Sequence, residues 1–209
     1  MADGGFSQRL WQNRNEGKFV DFKLQCDGHT FDVHKHSPIF LSGFTSESAA
    51  KEAGVYEIKE ASPIFVFKMV EYMYTGTYAA PTGNLEVGKE SCPAPVFHAK
   101  MMLLADTYMV TALYDEAKRQ FDVSINSDGE LLTLVRATPE IYNVAADIRM
   151  YLVGGLLKCI AQQLKETTPD AALYAALDAV GREVLGFSRD LLKLVITKDH
   201  WQLSLGFLG

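Results

Sequence analysis

Hydrophobic and polar positions change period along this chain, and each change marks an element. Phe6, Leu10 and Trp11 stand at helical spacing among polar neighbours and predict a short amphipathic helix over 6–14, ended by Gly17. From Val20 to Cys26 every even position is apolar and every odd one polar, the period of two of a half-buried strand. Asp27-Gly28 follows, a pair suited to a tight hairpin because both residues tolerate positive φ. Phe31 and Val33 then alternate with Thr30 and Asp32, which predicts a two-stranded hairpin with one apolar face. Residues 35–54 are small and polar, with short helical turns expected around Ser37-Pro38-Ile39-Phe40. Val55 to Ile58 reads as a third, short strand.

Helical periods take over after Ser62-Pro63, where a capping hydroxyl precedes a proline at the first helical position. The body that follows, with Val66, Phe67, Val70 and Tyr74, is apolar nearly all round and predicts a central buried helix stopped by Thr75-Gly76. Residues 77–95 hold three prolines and two glycines and read as a loop. Phe97, Met101, Leu104 and Tyr108 mark a second helix, and Leu113, Ala117 and Phe121 a third. From 127 onward the pattern is helical throughout. Ser127 with Glu130 makes a capping-box pattern, Thr138-Pro139 and Thr168-Pro169 repeat the hydroxyl-then-proline start, and Ser188 is placed to cap a last helix. Ile148, Leu152, Leu156, Ile160 and Leu164 keep a four-residue step between them. No repeat of solenoid length is visible. The outline is an α+β domain followed by an all-α extension.

Composition narrows the class. The 209 residues are 48% hydrophobic and 22% charged, the balance of an ordinary globular chain. Net charge is −6, which argues against a protein built to neutralise phosphates. Residues 1–126 carry 12 basic and 16 acidic side chains and residues 127–209 carry 8 and 10, so neither part is an electrostatic specialist. The first eighteen residues contain no apolar signal core, and the longest apolar run, from Met150 to Leu157, is too short to span a bilayer. Cys26, Cys92 and Cys159 share no CxxC spacing and read as reduced thiols, which places the expected compartment in the cytoplasm or nucleus.

Candidate chemistry is sparse. Cys26, His29, His34 and His36 are zinc-type ligands, but on a hairpin Cys26 faces the core while His34 and His36 follow the polar face, so they do not converge. No nucleophile elbow, phosphate loop, dinucleotide fingerprint or HExxH is present. Asp115 and Glu116 diverge by about 100° on a helix and read as solvated. The sequence therefore predicts no enzyme, no metal and no cofactor.

Five marks in order resemble a BTB/POZ domain of the fungal type. They are Asp21 of the first strand; Phe31, Val33, His34 and Lys35 at the end of the second; Ser37, Pro38 and Phe40; the helix end Tyr72, Tyr74, Thr75 and Gly76; and the helix with Leu104, Ala105, Asp106 and Tyr108. The resemblance covers roughly residues 6–126 and implies a BTB/POZ fold, a small β-sheet capped by a helical cluster. It divides the chain into an N-terminal helix at 1–18 (a candidate dimer element), a BTB/POZ domain at 19–126 with a loop insertion at 77–95, and a helical extension at 127–209.

The resemblance also implies a non-enzymatic protein-interaction module. It implies a homodimer through the helix bearing Phe6, Leu10 and Trp11, and a charged pocket at Asp21 and Lys35. It further implies a substrate adaptor that joins a cullin-3 ubiquitin ligase to an unidentified target protein, while the charge and the short apolar runs already argue for no direct nucleic acid and no membrane partner. Two departures bear on this. The stretch from Lys35 to Phe44 is shorter than usual, so the paired helices there must be cut short. The cullin motif, a hydrophobic residue two before a Glu, is absent after the central helix, because Asn84 precedes Glu86 and Gly88 precedes Glu90. The alternative is a homo-oligomeric scaffold or transcription-related regulator with no ligase role.

Overall fold

The computed structural model describes residues 4–34, 54–59, 61–81, 92–126, 130–144 and 146–195, without the side chains of 4–7, 146 and 147. The turns expected around Ser37 to Phe40, the shortened 35–44 segment and residues 82–91 of the loop lie outside this range. The described elements are α1 (Gly4–Asn15), β1 (Phe22–Cys26), β2 (His29–Val33), β3 (Val55–Glu57), α2 (Pro63–Thr75), α3 (Ala94–Thr107), α4 (Thr111–Asn126), α5 (Leu131–Tyr142), α6 (Ala146–Glu166) and α7 (Ala171–Glu183). A further helical segment runs over 187–195. The architecture is mixed α+β, with helices around a three-stranded sheet and helices alone in the C-terminal part, as the patterning predicts.

The sheet has the order β2-β1-β3. β1 pairs antiparallel with β2, Leu24 facing Phe31, and parallel with β3, Leu24 facing Tyr56. The period of two appears directly as burial: Phe22, Leu24 and Cys26 are buried while Lys23 and Gln25 are exposed. Asp27 and Gly28 take φ of 44° and 74°, the two positive values a two-residue turn requires of a right-twisted hairpin. The Cys26 thiol donates to the carbonyl of Ala61 at 2.9 Å, tying the strand end to the entry of α2.

α2 is the central helix the pattern predicts. Ile64, Phe65, Val66, Met69, Val70, Tyr72, Met73 and Tyr74 are all buried on it. It ends at Gly76, whose left-handed backbone (φ 73°) lets its N–H reach Tyr72 O at 2.8 Å. Its start corrects the expectation, since Ser62 occupies the N-cap but its hydroxyl makes no capping bond.

By contact density the chain divides into two compact units, residues 1–92 with 100–118, and residues 93–99 with 119–209. In the first, α1 packs on α2, and Met101, Met102, Ala105, Leu113 and Ala117 are fully buried. In the second, the core is drawn from Phe97, Phe121, Ile125, Leu134, Ile141 and the α6 stripe. Ile148, Leu152, Leu156 and Ile160 of that stripe are buried, whereas Leu164 is half-exposed. A four-residue step turns 400° and drifts about 40° each time, so the fifth member has rotated out of the core.

Four expected helix starts in this part are corrected. α5 begins at Leu131 with Glu130 as N-cap, so Glu130 is not the third residue of a helix capped at Ser127, a residue outside the described range. Pro139 lies inside α5, where buried Thr138 donates its hydroxyl to Leu134 O at 3.1 Å. α7 is capped by Asp170, whose carboxylate accepts from Leu173 N–H at 2.8 Å, so Thr168-Pro169 only leads into it. Ser188 lies within the last helical segment, which Gly186 precedes in a left-handed conformation (φ 102°). No helix among the described residues is long and apolar enough to cross a membrane.

Candidate protein-interaction surface

Among the described side chains, an aromatic and a cation of α1, Trp11 and Arg14, reach α2 and β2. The Trp11 ring sits against Phe67 (centroids 6.1 Å apart, tilted 58°) and Tyr74 (5.7 Å, 47°), both on α2. Arg14, one turn further along α1, lies with its guanidinium carbon 5.2 Å from the Trp11 ring centroid. It donates Nε–H to the carbonyl of Asp32 at 2.8 Å, so α1 is pinned to β2 as well as to α2. Burial lowers the pKa of this guanidinium, and the nearby Tyr74 and Asp32 oppose that shift. Arginine keeps its charge regardless, so the pin is permanent.

Tyr74 is the hub. Its hydroxyl accepts from the backbone N–H of His34 at 2.7 Å and stands 2.8 Å from His34 Nδ1. His34 Nε2 is 3.0 Å from the carbonyl of Lys18, which can only accept. Nε2 therefore carries the proton, Nδ1 accepts from the phenol, and every group in the chain has its partner. Burial pushes the Tyr74 phenol above its usual range, against the His34 N–H bond and the Arg14 charge, with Asp21 adding to the rise. Just after Lys18 comes Phe19, 83% exposed and at φ 60°. A bulky residue in the left-handed region is strained, by about 1–2 kcal/mol, and the His34–Lys18 bond anchors that corner.

The predicted residues fall as follows. Leu10 and Trp11 are half-buried on α1. Phe6 belongs to α1, but its side chain lies outside the described residues, as does Lys35 entirely. Asp21 is exposed ahead of β1, its N–H donating to Val33 O at 3.2 Å. Trp11 and Asp21 are thus brought around the same phenol, Tyr74. Arg14 and Phe19 were not singled out from the sequence, and His34 stood out only as a metal-type ligand and a family mark, not as a partner of Tyr74. An unusual buried hydroxyl on an otherwise apolar helix was the available signal for the His34–Tyr74 pair; nothing in the residue pattern marks the backbone sign at Phe19.

The remaining candidate chemistry disperses. Cys26 and His29 are register partners at the turn end of the hairpin, His34 is engaged at its other end, and His36 lies outside the described residues. Among the described residues no group of three or more His, Cys, Asp or Glu is placed to hold a metal. Burial raises the pKa of the Cys26 and Cys159 thiols, the direction that suppresses the nucleophilic thiolate. Asp115 is exposed and Glu116 half-buried; both carboxylates add to the burial that raises the Tyr72 phenol.

The described part of the domain is a small three-stranded sheet with helices, in which polar side chains join separate elements. The chain matches the BTB/POZ domain family over residues 10–125, more than half its length, and belongs to that family. The BTB/POZ domain is a non-catalytic protein-interaction fold. A search of curated proteins finds no match to this chain.

Proposed function

We propose that the protein is a self-associating interaction module, dimerising through α1, with 127–209 as a helical extension of the BTB/POZ domain at 19–126. The observation that carries the reading is the family match over 10–125. Supporting it, Leu10 and Trp11 remain half-exposed after α1 has packed on α2, and Phe19 presents an aromatic to solvent directly after that helix. Exposed apolar surface next to a rigid helix is the kind of patch that pairs with a partner. In this reading Phe6, Leu10 and Trp11 form the contact and Asp21 with Lys35 lines a charged pocket beside it.

The test is light scattering on the full chain. Leu10→Glu places a charge on the proposed interface, and Phe19→Gly removes an aromatic where glycine suits the backbone. Both variants are expected to shift a dimer to monomer while melting as cooperatively as the parent. A parent that stays monomeric at high concentration defeats the proposal.

The finer role is adaptor to a cullin-3 ligase in the cytoplasm or nucleus, with the target held by the 77–95 loop or the extension. The sequence Asn84-x-Glu86 and Gly88-x-Glu90, which lacks the hydrophobic-x-Glu motif, favours the second reading, a scaffold or transcription-related regulator without ligase partner. Retention of cullin-3 on the immobilised, folded full chain selects the adaptor; a clean dimer that retains none selects the scaffold.

A further inference from the structure

In the second compact unit, α7 and the helical segment 187–195 carry apolar side chains outside as well as inside. Leu173, Val180, Val184 and Phe187 are buried on the inner side. On the outside Tyr174 is 61% exposed, Leu192 57% and Leu185, in the turn between the two helices, 98%. The three belong to one flank. A Cβ on Gly181 would stand 3.0 Å from the Ser188 hydroxyl, so α7 and 187–195 meet at that pair. Tyr174 lies seven residues before Gly181 and Leu192 four after Ser188, which keeps each within about 40° of the line of contact. Asp178, on the same line, is ion-paired with Arg182 at 2.6 Å, so whatever covers it meets a paired charge. Exposed apolar residues scattered singly are ordinary, but three along one line, one of them an almost bare leucine, form a patch.

Beyond the described residues the chain continues with a polar stretch, Thr197 to His200, and then Trp201 to Leu208, of which five of eight residues are apolar. Trp201 is six residues on from Val195, a distance that can span up to about 20 Å. The helix from Val195 back to Ser188 rises only about 10 Å, so the whole flank is within reach. We propose that residues 201–208 dock back on their own extension and cover Tyr174, Leu185 and Leu192. The tether selects this occupant. A segment joined by so short a linker acts at an effective concentration in the millimolar range, which a separate partner with an equally small apolar patch does not match. The extension thereby carries its own ligand, and a protein that recognises this flank has to displace it. The docking shares no residue with the α1 surface and does not depend on self-association through it.

The experiment incorporates fluorotryptophan into the full-length protein, with the Trp201 fluorine line assigned by Trp201→Phe and the Trp11 line as internal control. In the parent the Trp201 line is expected to resist broadening by a soluble paramagnetic probe. In the double variant Leu185→Lys, Leu192→Lys it should broaden as free fluorotryptophan does, with the Trp11 line unchanged. Both leucines are exposed, so that variant keeps its core. The reciprocal variant Leu203→Ser, Leu205→Ser, Phe207→Ser should release Trp201 in the same way and shift the amides of Tyr174, Leu185 and Leu192. A parent Trp201 as accessible as free fluorotryptophan overturns the proposal, as does protection that survives either variant. Protection lost on dilution from about 500 to about 20 μM overturns it too, because the cover would then come from a second copy.

Discussion

The sheet-bearing unit and the helical unit place their polar side chains differently. In the first, hydrogen bonds join elements far apart in sequence: Arg14 to Asp32, Cys26 to Ala61, His34 to Tyr74 and Tyr108 to Lys59. In the second, the bonds of the described residues include local ones, Ser124 to Phe121, Thr138 to Leu134 and Leu173 to Asp170, beside longer links from Cys159 to Ile125 and Tyr151 to Asp122. The difference follows from what each unit has to specify. Three strands of three to five residues bury little, and a one-residue slip turns every side chain over, so polar pins hold the register. Helices with continuous apolar stripes are fixed by volume.

The largest test of that contrast is a cavity in the helical unit. Leu152→Ala, at a fully buried position of α6, should cost about 3 kcal/mol in denaturant unfolding, and Leu164→Ala on the rotated end of the same stripe well under half of that. Equal losses would mean that the drift does not carry Leu164 out of the core. On the other side of the comparison, Tyr74→Phe keeps the ring against Trp11 but strands His34 Nδ1 and the His34 N–H. It should cost about 1–2 kcal/mol and shift Trp11 fluorescence, since the anchor of α1 loosens. A loss with unchanged Trp11 emission would show that α1 is held by Arg14 and ring packing alone.

These cases also show what the sequence can carry. The hairpin was legible because a period of two and Asp27-Gly28 are local signals that agree. The same holds for the end of α2 at Gly76 and for the buried steps Phe97 to Tyr108 and Leu113 to Phe121. Ser62-Pro63 does open α2, but Thr138-Pro139 misled, because that dipeptide is equally at home within a helix when the hydroxyl has a carbonyl four residues back, as Thr138 has in Leu134. In the candidate surface, Leu10 and Trp11 were visible from helical spacing. The Arg14–Asp32 and His34–Tyr74 pairs join residues 18 and 40 positions apart, and no periodicity encodes such a distance.

A smaller effect tests local capping in the helical unit. Asp170→Ala removes both the acceptor for Leu173 N–H and a negative charge at the start of α7, and should cost about 1 kcal/mol. Thr168→Ala should be nearly silent by the same melting measurement. If the two were equal, the cap would belong to the Thr-Pro pair after all.

The smallest effect runs the other way, because the helical unit contains a polar group it fails to satisfy. The Tyr142 hydroxyl is buried with no hydrogen-bond partner of ordinary geometry among the described residues, although part of its ring reaches solvent. Burial pushes its pKa up to about 12, with Asp190 adding to the rise and Arg189 and Arg149 opposing it. A phenol whose folded pKa is raised favours the neutral form in the fold. Its contribution is complete below the unfolded value near 10 and is lost as the pH rises from there through about 12. Tyr142→Phe should therefore stabilise the protein by up to about 1 kcal/mol at neutral pH, by removing an unpaired hydroxyl. Its advantage should grow by about 1 kcal/mol more above pH 10, allowing for the screening of a partly exposed ring. Melting curves of parent and variant between pH 7 and about 11 measure both terms. A variant that is less stable at neutral pH would mean the hydroxyl has a partner after all, and the two units would then differ only in how far their polar bonds reach.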